Sequence, residues 1–397
     1  MSRIGDIANV TKLAGFEYTE YIQGHISHTR TDYYDTPLLI GKTIKYGQID
    51  KNYDWYLPSS ISDRLIRSKL DKKCIVLPYV GSLGDLAIFS GDECCHLGSN
   101  IAKIELNNES GYCEDFLYYY LKSPLGQKRL LKEVQGGIQK NITMGAIRNI
   151  ELPDYSMDLQ SSIILVLKRL DEMIDNNKAI YIELEAMSKL LYEQWFVQFD
   201  FPDENGKPYK SSGGKMVWND ELKREIPAGW EVKDVMSLSH LFVDKREASF
   251  GKNNGPYRFY SCSKNVQYCD EYDYEGKSII VANHGEFRAE HIDGKFSAYF
   301  CNAIFQPVND SYYGLLFLTL NRYMPLLQRQ ASGSIVKFIS NAEIGAVPVL
   351  VPNKDFYSGI LNTLLEKEEV LITENQQLAS LRNFLLPMLM NGQVKFV

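Results

Sequence analysis

The sequence predicts an α+β protein: two globular bodies with small β-sheets, separated by two long helices that form an antiparallel coiled coil in a pseudo-two-fold internal repeat. Three observations predict it. The stretch Asp158–Phe199 lacks glycine and proline, and it sets Ile163, Leu167, Leu170, Ile174, Tyr181, Leu184, Met187, Leu191 and Trp195 along one helical stripe, with Asn177 as its polar member. The stretch Asp355–Met390, interrupted only by Gly359 and Pro387, repeats the pattern with Leu364, Leu371, Leu378, Leu381, Leu385 and Met388. Asn375 answers Asn177, and Gly-Ile-Gln-Lys-Asn-Ile-Thr (Gly137 to Thr143) is answered by Ser-Ile-Val-Lys-Phe-Ile-Ser (Ser334 to Ser340). Offsets of about 197 residues therefore relate body and helix to a second body and helix.

The first body spans residues 1–156. It alternates β-type runs at Leu38 to Ile44, Lys73 to Val80 and Ile101 to Leu106 with turn residues, then gives a helical run from Glu114 to Val134. The first long helix is expected over 157–200. At about 1.5 Å per residue, its apolar stripe is roughly 60 Å long, a spacer rather than a core element. Residues 201–353 open with the polar linker Phe201 to Gly214. The second body follows, with β-type runs at Tyr257 to Ser261, Lys277 to Ala282 and Phe296 to Phe305 and a helical run at Tyr312 to Gln330. The second long helix occupies 354–397. A helix that returns over the first must run antiparallel to it, which places the bodies at opposite ends of a rod. Its seam is expected to comprise Leu167, Leu170, Ile174, Asn177, Leu184, Leu371, Asn375, Leu378 and Leu381, with the two asparagines able to fix register.

Composition supports packed domains, since 45% of the 397 residues are hydrophobic and 12% aromatic. The opening residues lack the regions of a signal peptide, and the longest apolar run, Gly314 to Leu320, is too short to span a bilayer, so the cytoplasm is the expected compartment. Seven cysteines without a Cys-x-x-Cys pair read as buried thiols, and adjacent Cys94, Cys95 and His96 are a weak metal signal without a second cluster. The net charge of −7 is unevenly spread. Residues 1–150 hold 18 Lys and Arg against 17 Asp and Glu, residues 236–352 hold 11 against 11, and residues 151–200 hold 4 against 10. Two near-neutral bodies on an acidic helix can still bind DNA through local patches, with modest non-specific affinity because that scales with the phosphates neutralised.

Those patches are identifiable. In the first body they are the loop bearing Lys51, Asn52 and Tyr53, the glycine-flanked turn containing Ser82, the basic run Arg64, Arg67, Lys69, Lys72 and Lys73, and the segment Gly136 to Asn141 with Gln139, Lys140 and Asn141. Such side chains supply donor and acceptor sets that read bases or hold phosphates, although a solvated face or a plain turn would use the same residues. The second body offers Lys264, His284 and Arg288, then Ser334 and Lys337.

Catalytic motifs are missing. The chain has no phosphate-binding Gly-x-x-x-x-Gly-Lys-Ser/Thr loop, no Gly-x-Gly-x-x-Gly, no Gly-x-Ser-x-Gly, no His-Glu-x-x-His and no Asn/Asp-Pro-Pro-aromatic tetrapeptide of amino-methyltransferases. Asp203, Glu221 and Lys223 match only the degenerate pattern of Mg-dependent nucleases. A stand-alone two-domain DNA-binding regulator is the alternative non-enzymatic class.

The order body, helix, body, helix, together with Trp195-Phe-Val-Gln-Phe-Asp-Phe-Pro202, Ile226-Pro-Ala-Gly-Trp-Glu231 and Leu386-Pro-Met-Leu-Met-Asn-Gly392, resembles the specificity subunit of Type I restriction-modification systems along essentially the whole chain. The resemblance implies that the bodies are target recognition domains, each reading half of a bipartite asymmetric DNA sequence, and that the coiled coil spaces them. It also implies a non-catalytic chain that docks two modification (methyltransferase) subunits and, in the holoenzyme, restriction subunits. S-adenosylmethionine, ATP and Mg would then belong to those partners. The chain departs from a strict repeat where Val336-Lys337-Phe338 stands against Gln139-Lys140-Asn141.

Overall fold

The computed structural model describes residues 2–394 except 46, 133, 135–139, 244, 264 and 334–336. The chain forms two compact units, one of residues 1–173 with 377–397 and one of residues 174–376. Each unit is α+β and contains half of each long helix.

Unit 1 is organised by the strand Cys74–Pro78, which lies in an antiparallel sheet of order Ala8–Lys12, Ile101–Leu106, Cys74–Pro78, Ala87–Phe89. Successive side chains of a strand point to opposite faces. Ile75 and Leu77 accordingly pack with Phe116, Leu117 and Tyr120 of the helical layer, whereas Cys74 and Val76 pack with Leu38, Leu39, Cys95 and Leu97 of a second sheet. Burial on both sides explains why this strand reads as an unbroken apolar run. The second sheet has the order Tyr56–Leu57, Thr36–Leu39, Cys95–Leu97, Lys69–Leu70.

Two expected elements of unit 1 are divided. The run from Leu38 to Ile44 becomes the strand Thr36–Leu39, a 3-10 turn Gly41–Thr43 and the short strand Ile44–Lys45. The run from Glu114 to Val134 becomes two helices, Glu114–Lys122 and Pro124–Leu131. Proline at 124 disfavours helical backbone at Ser123, whose hydroxyl instead caps the second helix by accepting from the Gly126 amide at 3.1 Å.

Unit 2 carries a sheet of order Ser239–Val243, Asn302–Pro307, Tyr274–Ala282, Arg288–Ala298, Tyr257–Tyr260, Gln267–Cys269. The expected single run Phe296 to Phe305 is therefore two strands joined by a turn. Ile279, Val281, Ala303 and Phe305 pack beneath the helix Tyr313–Gln330, and Ile280, Ile292 and Ile304 fill a smaller core on the other face. Glycine at 314 lets that helix approach the second long helix. A Cβ there would lie 2.9 Å from the Leu361 backbone, and the Gly314 amide donates to Asn362 Oδ1 at 2.7 Å.

The long helices run Met157–Tyr192, followed by a π-turn Glu193–Val197, and Asp355–Met390. Phe199 ends the first with a φ of 66°. Within each unit the two helices are antiparallel. Tyr155 donates to the Met390 carbonyl and Arg382 to Asp171 in unit 1, while Trp195 meets Tyr357 edge-to-face in unit 2. Of the expected seam, Leu167, Leu170, Ile174, Asn177 and Leu378 are buried, and Leu184, Leu371 and Asn375 are half-buried. Leu381 is 46% exposed and the stripe residue Met187 is 50% exposed, contrary to expectation. The inward rows run 181, 184, 188, 192, 195 and 378, 382, 386, 389, so Ser188 is buried where Met187 was expected. The helical period of about 3.6 residues turns positions 187 and 381 off the face. Asn177 Nδ2 and Asn375 Oδ1, a donor and an acceptor, are both buried without a partner among the described residues.

The expectation of seven thiols is also corrected. Cys262 and Cys301 are joined as a disulfide, Cys94 is exposed and Cys113 is half-buried. His96 is fully buried and its imidazole is held down at about 4 by desolvation, while burial pushes the Cys95 thiol up to about 12. Among the described residues no group of three or more His, Cys, Asp or Glu is placed to hold a metal ion, and no helix is long and apolar enough to cross a membrane.

The repeat extends to individual backbone bonds. Both units present the same strand order in their first four strands. The Ile4 amide donates to the Ile150 carbonyl (2.9 Å) as Val235 does to Val347 (3.1 Å). The Ile142 amide donates to the Tyr79 carbonyl (2.9 Å) as Ile339 does to Asn283 (3.0 Å). Thr143 and Ser340 then cap the equivalent short helices Met144–Arg148 and Asn341–Gly345.

Candidate nucleic-acid interface

The equivalent bonds from Ile142 and Ile339 identify one place in each unit where separate loops meet. In unit 1 the strand Cys74–Pro78 runs into the turn Gly81 to Gly84, whose terminal glycines hold φ of 90° and 96°. Gln127 pins the turn by donating to the Gly84 carbonyl at 2.9 Å, and Val80 bridges to Asn141. Exposed Ser82 and Lys140 and half-buried Asn141 are thus brought to the same strand end. Lys12 adds an ammonium 4.5 Å from the Tyr79 ring centroid, a contact not singled out from the sequence because Lys12 lies in another strand.

The loop from Asp50 to Tyr56 belongs to the core of the second sheet instead. Its Asn52 is exposed, with its amide donating to Asp50. Glu93 engages the other two candidates, pairing with Lys51 at 3.3 Å and accepting from the Tyr53 hydroxyl at 2.9 Å. Burial, then the Cys95 thiol and Glu93, push the Tyr53 phenol well above its ordinary range, so it remains a neutral donor. The basic run is partly spent within the fold. Lys69 pairs with Asp63, Lys73 pairs with Asp115, and Arg64 lies over Tyr21. Arg67 and Lys72 remain exposed.

In unit 2 the strand Tyr274–Ala282 runs into Asn283 and His284, and His284 bridges to Phe338 as Val80 does to Asn141. The His284 ring stacks on Phe338 with centroids 5.8 Å apart and an interplanar angle of 19°. Lys337 beside it is exposed. Arg288 shapes the neighbouring loop: it donates to the Ser261 and Ser263 carbonyls at 2.9 and 2.7 Å and pairs with Glu290. The expected contacts Gln139, Lys264 and Ser334 lie outside the described residues. Asn283, Asn341 and Phe338 were missed as site residues, although the 197-residue offset already set Phe338 against Asn141.

Nothing in the nuclease pattern assembles into comparable geometry. Asp203 accepts from the amides of Asn205 and Lys207 in its own turn, and Glu221 and Lys223 lie between the hairpin strands Met216–Asn219 and Arg224–Pro227.

Comparison with known proteins bears on the whole chain. Residues 1–186 match the Type I restriction modification DNA specificity domain. The chain is 25% identical over 385 residues to the Type I restriction enzyme MjaIX specificity subunit of Methanocaldococcus jannaschii, covering 87% of this chain and 84% of that protein. It is 24% identical over 177 residues to the Type I restriction enzyme EcoDI specificity subunit of Escherichia coli, covering 43% and 40% of the two chains. The crystal structure of a Type I restriction-modification S subunit from M. genitalium shares the fold, with a TM-score of 0.59 at 15% identity over 100% of this chain and 96% of that one. Domain match and relatives agree that this chain resembles the DNA specificity subunits of Type I restriction-modification systems, and the solved S subunit shares its fold.

Proposed function

We propose that each unit reads one half of a bipartite, asymmetric DNA sequence and that the paired long helices set the length of the unread gap. The observation that carries this reading is the repeated strand end, where Val80 meets Asn141 in one unit and His284 meets Phe338 in the other. The same scaffold presents different chemistry in each unit, as two different half-sites require. The helices also dock two modification subunits that methylate DNA, and restriction subunits join that complex. S-adenosylmethionine, ATP and Mg reside on those partners, and this chain contributes recognition without turnover in the cytoplasm.

Because each unit has its own core, exchanging residues 1–156 for those of a relative should change one half of the methylated sequence and leave the other intact. Genome-wide methylation sequencing of cells expressing the chimera with its modification subunit tests this. Alteration of both halves would contradict independent reading.

Within unit 1, Lys140→Ala should weaken binding of the complex to its site by about 1–3 kcal/mol if the side chain contacts a base. A pure phosphate contact would instead weaken all sequences alike and reduce the salt slope by about one. Titrations at several salt concentrations distinguish these outcomes, and an unchanged affinity and slope would remove Lys140 from the interface.

A further inference from the structure

We infer that His284 selects an exocyclic amino group on a base edge, adenine N6 or cytosine N4, with Nε2 as the accepting atom. The inference rests on the proposed role of unit 2 as a DNA reader and names one contact in its half-site.

The tautomer follows from a relay of side chains. Asn283 is buried, its amide donates to the Cys301 carbonyl at 3.1 Å and its carbonyl accepts from the Ile339 amide, so its main chain is held on both sides. Its Nδ2 donates to Asn341 Oδ1 at 3.0 Å. That leaves Asn283 Oδ1 facing His284 Nδ1 at 2.7 Å. An amide oxygen only accepts, so Nδ1 carries the proton and Nε2 of the neutral ring carries a lone pair. Nε2 has no partner among the described residues and is not one of the buried polar atoms left without one. Stacking on Phe338 fixes the plane of the ring as the relay fixes its rotation.

An oriented acceptor discriminates in the major groove. It matches the amino donors of adenine and cytosine and opposes the acceptors O6 and N7 of guanine and O4 of thymine. Val80, the equivalent residue of unit 1, has no lone pair to offer, so the two readers differ chemically at this position.

The test uses the full chain assembled with its modification subunits and a library of duplexes varied one base pair at a time. His284→Val should lower selectivity at one position of the second half-site roughly 3- to 10-fold and leave the first half-site unchanged. In the unsubstituted protein, replacing the recognised adenine by purine, or cytosine by 2-pyrimidinone, removes only the amino group and should cause the same loss. Combining that duplex with His284→Val should add nothing further. Unaltered selectivity throughout the second half-site, or equal tolerance of the amino-deleted bases, would overturn the assignment. A complex that shows no preference for any sequence before substitution would overturn the two-reader function itself and this contact with it.

Discussion

Glu369→Ala is expected to destabilise unit 2 by about 3–5 kcal/mol, because it leaves a buried guanidinium without its counterion. Arg258, on the strand Tyr257–Tyr260, is 13% exposed and pairs with Glu369 of the second long helix, itself 5% exposed. The pair belongs to a larger network. His291 Nε2 lies 3.0 Å from Glu368 Oε2, while its Nδ1 lies 3.0 Å from the Tyr313 hydroxyl and 3.4 Å from Glu369 Oε1. The Nε2 that faces a carboxylate must carry a proton, so the imidazole donates to the helix and ties the strand Arg288–Ala298 to it. Desolvation raises the phenols of Tyr260 and Tyr313 above their ordinary range, which keeps them neutral beside these charges.

Removing one partner leaves a desolvated charge, whereas replacing both by apolar side chains of similar volume does not. Arg258→Met combined with Glu369→Leu should therefore recover most of the loss. Hydrogen exchange in the second half of the chain provides a local measurement that needs no two-state assumption for the whole protein. A loss below about 1 kcal/mol in Glu369→Ala would mean that water already solvates the pair, and this network would not hold the helix to the sheet.

Particular elements explain what was legible in the sequence. The second long helix occupies the breaker-poor stretch Asp355–Met390, because a sequence with helical periodicity has few other ways to bury its stripe. The strand Ile101–Leu106 was equally plain, bounded by turn residues and buried at its first four positions. The turn at Tyr299 to Cys301 was invisible, since no glycine or proline interrupts Phe296 to Phe305 and an apolar run alone cannot reveal where one strand ends and the chain passes to the other side of Tyr274–Ala282. Lys51 and Tyr53 looked available because Glu93, which engages both, lies about 40 residues away. The His284 relay was hidden for the same reason: Asn341 is remote in sequence, and only the fold makes it a neighbour of Asn283. What the repeat did expose was the equivalence of Asn141 and Phe338, which the bridges to Val80 and His284 place at matching strand ends.

The long helices themselves supply the most direct test of the account. Each is 36 residues long, and insertion of one heptad after Asp175 and another after Thr373 adds close to two turns to both. The apolar rows should keep their pairing, while seven residues at about 1.5 Å each lengthen the helical span by about 10 Å. At roughly 3.4 Å per base pair, that corresponds to about three base pairs of DNA. The added helical twist of about a third of a turn must be absorbed by bending the DNA, at a cost of a few kcal/mol, so methylation should be weaker. Sequencing of methylated DNA from cells expressing the double insertion should find both half-sites unchanged and the gap between them longer by about three. Retention of full activity at the original gap would contradict the account, because the helices would then not set the spacing.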